Sequence, residues 1–159
     1  MAVAAMSAAP HPNIVTSAEE AIRIAGDART VVVLGCKTEA QASQPAFFVP
    51  EFVQSSGARV IPVPTYYPHV QEILGQPVVR DLKAIGEQVD ILDVFRRQVD
   101  LPAHVPDILA MRPRPEVVWL QTGISHPQVE RELAEAGIKV VAGRCLKVDR
   151  AAAGRRARF

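Results

Sequence analysis

Apolar residues along this 159-residue chain fall into two alternating rhythms. Short uninterrupted runs, Val31 to Leu34, "VDILDVF" over 89–95, "EVVWLQ" over 116–121 and "IKVVAG" over 138–143, lack the polar alternation of a half-exposed sheet, so they predict strands buried on both faces. "ARVIPVP" over 58–64 predicts another strand, and Pro62, which cannot donate to a ladder, places it in an outer position or in an irregular pairing. Between these runs the apolar spacing turns helical. Ala18, Ala21, Ile22 and Ala25 follow a capping box of Thr16 with Glu19. Phe48, Phe52 and Val53 share a face of a helix that Pro50 predicts to start late and that ends before Gly57. Asp100 caps a helix with Pro102 in its first turn and Leu101, Val105 and Ile108 facing inward. Ser125 and Gln128 form a second capping box around Pro127, with Val129, Leu133 and Ala136 inside and Gly137 at the end. "TYYPHVQEILGQ" predicts a loop or short turn, and "PVVRDLKAIGE" a brief strand with a helical turn.

Strands and helices alternating at this spacing predict an α/β fold: a Rossmann-like, three-layer parallel sheet with right-handed crossovers and helices on both faces. The expected organisation is a flexible segment over 1–15, one domain over 16–149 and a basic tail over 150–159. At 48% hydrophobic content the chain can bury one sizeable core and is too short for two ordinary domains. The net charge of +1 offers no field for nucleic acid or an anionic membrane, although residues from Arg144 onward carry +5 and the rest of the chain −4. Two cysteines make no disulfide framework and fit a reducing compartment; no run approaches a membrane span and the N-terminus has no secretory pattern. These features predict a soluble, cytoplasmic protein.

Ligands of such sheets sit outside the carboxyl ends of the strands. Those ends read Gly35-Cys36-Lys37, Pro64-Thr65-Tyr66-Tyr67, Phe95-Arg96-Arg97, Gln121-Thr122-Gly123 and Gly143-Arg144-Cys145. An NAD site wants an acid after the second strand and a G-x-G-x-x-G first turn; the next acid after that strand is Glu72, and the first turn holds a single glycine. Arginine at a strand end suits a phosphate, because its planar fork stays charged. Arg96 and Arg97 point in different directions if the strand continues, so at most one faces the cleft, and a salt bridge to Asp93, Asp100 or a neighbouring helix is the competing role. A ligand with several phosphates fits these ends better than NAD.

The segments "ILDVFRR", "VVWLQTGI" and "GRCLKVD", in that order and at those intervals, with support from "VIPVP" and "EILGQPVVRDL", resemble the small stand-alone CoA-binding domain family, similar to the nucleotide-binding half of the succinyl-CoA synthetase α subunit. The likeness runs from about Ala18 to Asp149. It implies CoA or an acyl-CoA lying across the strand ends, with the pyrophosphate near the first glycine turn. The 3′-phosphate of CoA also makes sense of the missing acid, which would repel it. Gln44-Pro45-Ala46-Phe47 stands where the family commonly has an Arg-Pro-Ser-Tyr-like segment, and Pro64-Thr65 where it often has Asn-Pro.

The resemblance implies as ligand-binding residues Gly35, Cys36, Lys37, Pro64, Thr65, Tyr66, Phe95, Arg96, Gly123 and Arg144. Backbone N–H groups around Gly35 and Cys36 would cradle the pyrophosphate, Lys37 and Arg96 would supply charge, and Thr65 or Tyr66 would border the adenosine. Catalysis is not expected. The synthetase-like enzymes need a second domain with a phosphorylatable histidine, and His11, His69, His104 and His126 form no recognisable catalytic pair. No cysteine or histidine spacing suggests a metal. Three functions remain: a non-catalytic CoA or acyl-CoA binding module, which the sequence favours; a thiol-active protein in which Cys36, beside Lys37, exchanges with the CoA sulfhydryl; and a scaffold whose Tyr66 and Tyr67 join a second copy or another protein.

Overall fold

In the computed structural model, which describes residues 9–157, five parallel strands form one sheet in the order β2-β1-β5-β6-β7. These are β1 (Thr30–Leu34), β2 (Arg59–Val63), β5 (Ile91–Val94), β6 (Val117–Leu120) and β7 (Lys139–Val141). A small antiparallel hairpin of β3 (Glu72–Ile73) and β4 (Gln76–Pro77) follows β2. The chain lays β2 on one side of β1 and then crosses to lay β5 on the other, so the strand order reverses between β1 and β5. That is the place where the backbone connections part and leave room for a ligand.

Helices cover both faces, as the alternating pattern requires. Val31, Val33, Ile91, Trp119 and Val141 pack with α1 (Ala18–Asp27), α2 (Pro45–Ser55) and the first turn of α5 (Leu146–Ala157). Val32, Leu34, Leu92, Val94, Val118 and Leu120 pack with α3 (Leu101–Ala110) and α4 (Pro127–Glu135). Each fully buried branched or aromatic side chain contributes about 1.5–3 kcal/mol. β2 is an edge strand. Pro62 pairs in register with Val33, while the Arg59 N–H reaches Arg29 O and Val63 O receives Gly35 N–H. Parallel ladders engage alternate residues, so Pro62 occupies the outward position, where no donor to the sheet is needed.

Several local expectations are corrected. Helix α1 is capped by Ser17, whose side chain accepts from Glu20 N–H, one residue later than the Thr16 box. Helix α4 is likewise capped one residue later, by His126: its ring accepts from Val129 N–H, and Glu130 returns the bond to His126 N–H. Asp100 does not cap α3; it stands in a helical backbone conformation and spends its carboxylate on Arg96 and Arg97. The loop after β2 contains the β3–β4 hairpin, whose turn places Leu74 and Gly75 at φ 56° and 70°. Leu74 is held there by Gln54, which donates to its carbonyl, and Glu39, which accepts from its N–H.

Helix α2 begins at Pro45 and runs through Pro50, rather than starting late. Pro50 has no N–H for Ala46 O, four residues back; Lys37 N–H donates to that carbonyl instead, at 3.1 Å.

The two ends of the domain also differ from expectation. Residues 150–157 are helix rather than tail. Arg150 donates to Ala25 O, Ala28 O and Ser56 Oγ, and the Ala153 Cβ stands so near Gly26 that a Cβ added there would lie 2.5 Å away. Asn13 to Val15 add to the free edge of β7 through Val140. The expectations for residues 1–8 and for Arg158 lie outside the described residues. No helix among the described residues is long and apolar enough to cross a membrane.

Candidate functional site: a cationic slot at the strand-order reversal

Strand β1 ends at Gly35, which adopts φ +87° and donates its N–H to Val63 O at 2.8 Å. A Cβ at this position would lie 2.3 Å from Phe95 O, so only glycine lets the ends of β1 and β5 come together. Cys36 then turns inward. Its thiol is buried beside Phe47 and Val49, and burial first, then the negative charges of Asp93 and Glu39, push it up to about 12. Cys36 is therefore a protonated core thiol, which weighs against the alternative of thiol exchange with CoA: burial outweighs the nearby lysine. Lys37 returns to the surface.

Lys37 forms one wall of a cavity of about 430 Å³ above the carboxyl ends of β1, β5, β6 and β7. Gln44, Pro45 and Ala46 at the start of α2 bring that helix's N-terminus to the opening, and Phe48 and Val49 continue the same wall. Phe95, Arg96 and Arg97 follow β5; Gln121, Thr122 and Ile124 follow β6; Cys145 follows β7. The interior is apolar, and among the described residues three cations line it and no carboxylate does. Both arginines face it, against the expectation of one, because β5 stops at Val94 and strand alternation no longer governs the next residues.

Arg96 is the best-held of these cations. Its Nε donates to His104 Nε2 at 3.1 Å, its Nη1 to Thr65 Oγ1 at 2.9 Å, and its Nη2 stands 3.5 Å from Asp100 Oδ2. Burial and the adjacent Arg96 charge lower the His104 pKa, which keeps its ring the neutral acceptor this contact needs. Thr65 and His104, both hydrogen-bonded to Arg96, line a smaller cavity of about 250 Å³ together with Pro64, Arg80 and Asp107. Arg97 pairs with Asp100 at 2.8 Å and is otherwise exposed; that hydrogen bond lowers the Asp100 pKa.

Below the slot, Asp93 is fully buried in the middle of β5. Gln121 donates its side-chain amide to Asp93 Oδ1, and Asp93 Oδ2 has no partner. Burial lifts this carboxyl to about 8, partly offset by the Gln121 bond.

The sequence-derived residues therefore separate into groups. Lys37, Phe95 and Arg96 meet in the slot, and Pro64 and Thr65 line the smaller cavity, where Thr65 accepts from Arg96. Gly35 shapes the floor, but its N–H and that of Lys37 are used within the fold and are not free for a pyrophosphate. Cys36 is in the core. Tyr66 is 71% exposed, edge-on to Tyr67, in a loop whose carbonyls at Tyr66, Tyr67 and Val70 all accept from Arg80. Gly123 takes φ +80° in the turn between two slot residues. Arg144 forms a two-pronged bond to the buried Asp149 at 2.6 and 2.8 Å, while its carbonyl accepts from Trp119 Nε1. It fastens α5 to the sheet instead of facing the slot. Gln121 was missed although it immediately follows a buried strand, a position that carried the signal; Phe48, Val49, Ile124 and Cys145 look like core residues in sequence.

Known proteins resemble this chain in sequence and in fold. Residues 29–151 match the CoA binding domain family. An uncharacterized protein of Bacillus subtilis strain 168, YneT, is 34% identical over 103 residues, covering 65% of this chain and 73% of that protein. A Thermus thermophilus structure described as cell-free ID.343 superimposes with a TM-score of 0.75 at 42% identity, covering 87% of this chain and 99% of that one. A hypothetical protein from Pyrococcus horikoshii OT3 shares the fold, with a TM-score of 0.74 at 20% identity over 92% of this chain and 98% of its own. With the glycine turn, the β5 arginines and the "WLQ" strand end all inside the matched span, this chain belongs to the CoA binding domain family.

Proposed function

We propose that the chain is a non-catalytic binding module for CoA or an acyl-CoA, seated in the slot at the carboxyl ends of β1 and β5. The observation that carries this reading is the composition of the slot: an apolar interior in which Lys37, Arg96 and Arg97 are the only charged lining residues among the described ones. An anionic nucleotide end meets those cations and the N-terminus of α2, where the helix dipole favours negative charge. The uncharged pantetheine arm, with or without an acyl group, has apolar walls to lie against. The fit is to the class of ligand, an anion joined to a long, weakly polar arm.

Arg96→Ala is the direct test. Titration calorimetry with CoA should show affinity reduced at least about tenfold, the scale of one charge-assisted hydrogen bond. Thermal melting of the unliganded variant should move by only a few degrees, since Arg96 is a partly exposed side chain rather than core. Equal CoA affinity in the two proteins removes Arg96 from the site. A wild-type melting temperature that stays fixed through a CoA titration removes the binding reading itself, because a ligand specific for the folded state must raise it.

A further inference from the structure

Among the slot residues Gln121 is set apart by the way it is held. It is 6% exposed, it lines the cavity, and its amide nitrogen is turned down to Asp93 Oδ1. Its other polar atom, Oε1, accepts no hydrogen bond among the described residues. That oxygen is not a buried orphan, since the one buried side-chain polar atom without a partner among the described residues is Asp93 Oδ2; it keeps accessible space on the slot side, where a ligand donor can reach it. Phe95 and Ile124 on the same walls are apolar, and the other side-chain acceptors lining the slot are Thr122 and Gln44. We propose that Gln121 reads the pantetheine arm: Oε1 accepts an N–H from one of the arm's two amides, and Asp93 is the positioning residue that keeps the oxygen turned to the slot.

The orientation is the one the structure shows: the Gln121 amide nitrogen donates to Asp93 Oδ1, which leaves Oε1 as the acceptor presented to the slot. An acceptor in an apolar slot selects a ligand carrying a donor at that depth. The arm of CoA carries such donors, and adenosine 3′,5′-bisphosphate, which shares the nucleotide and lacks the arm, does not. The inference rests on CoA occupying this slot, and discrimination between those two ligands is its signature.

Titration calorimetry with both ligands tests it. Gln121→Leu should weaken CoA about tenfold and leave the bisphosphate unchanged. Asp93→Asn keeps an oxygen for the glutamine amide and should retain the wild-type affinity ratio; Asp93→Val removes it and should lose most of the ratio, which a purely structural role would not alter selectively. On the unaltered protein, one of two CoA analogues, each N-methylated at a different arm amide, should bind about tenfold more weakly than CoA. That arm gives an answer even where a core variant fails to fold. Equal weakening of both ligands by Gln121→Leu, or wild-type affinity for both methylated analogues, overturns the role of Gln121 while CoA binding stands. Absence of CoA binding by the wild-type protein removes the CoA reading together with this one.

Discussion

The two edges of the sheet hold cavities of almost the same size and opposite character. The one at the carboxyl ends, about 430 Å³, has apolar walls, three cations and no acid. The one at the amino ends, about 450 Å³, is lined by Arg23, Asp27, Asp90, Glu116 and Lys139, charges of both signs beside one another. Volume therefore does not distinguish them; unbalanced charge does. At the amino edge, Asp90 also has a structural duty, accepting from Arg29 N–H and Thr30 N–H at 2.7 and 3.0 Å and so tying the start of β1 to that of β5. Lys139 is occupied with Glu20 at 3.0 Å. At the carboxyl edge Lys37, Arg96 and Arg97 line a space with no carboxylate in its lining among the described residues, and the one acid paired with the arginines, Asp100, is shared between them.

This contrast can be attacked at its strongest point first. Gly35→Ala puts a Cβ 2.3 Å from Phe95 O at a φ of +87°, so it should destabilise the fold by about 3 kcal/mol and disrupt the slot with it. Urea unfolding measures the loss; a variant as stable as wild type would mean that β1 and β5 can separate without cost.

The next effect is a pH dependence that belongs to the carboxyl edge. Burial raises Asp93 from 3.8 to about 8, so across that window the folded chain holds a proton that the unfolded chain has released. Stability contributed by that proton is complete below about pH 4 and is lost as pH rises through about 8, with a slope of at most about 1.4 kcal/mol per pH unit. Asp93→Asn has no such proton and should remove this component of the slope. Parallel stability-against-pH curves for the two proteins would show Asp93 ionised in the native fold.

The smallest effect sharpens the amino edge. Asp90→Ala leaves two backbone donors without their carboxylate and should cost about 1–2 kcal/mol, with CoA affinity unchanged. Altered affinity would mean that the two edges communicate, and the division of labour drawn here would fail.

Much of this architecture was readable from the chain because strands buried on both faces leave no room for polar alternation: Val31 to Leu34 and "VVWL" can be little else. Helix α5 was not readable, since its contact with α1 depends on Gly26 and Ala153 allowing close approach, and small residues write no apolar stripe. The cations Lys37 and Arg96 were legible because charge after a buried strand has few structural uses. The walls were not. Phe48 and Val49 are neighbours on a helix of which Val49 is core-buried and Phe48 half-exposed, and only the meeting of α2 with β5 and β6 makes them one surface. Gln121 is intermediate: its position was marked, but its partner Asp93, 28 residues away, gives it its orientation.

A proline within a helix is ordinarily a defect that substitution by alanine would repair. Here the carbonyl that Pro50 abandons is the anchor for Lys37, so an alanine at that position would supply a rival N–H for the same oxygen. The gain in helix propensity would then be set against a loosened first turn, and the lysine at the mouth of the slot would lose its tether. In this fold the imperfect helix and the poised cation are a single arrangement, and neither can be idealised without disturbing the other.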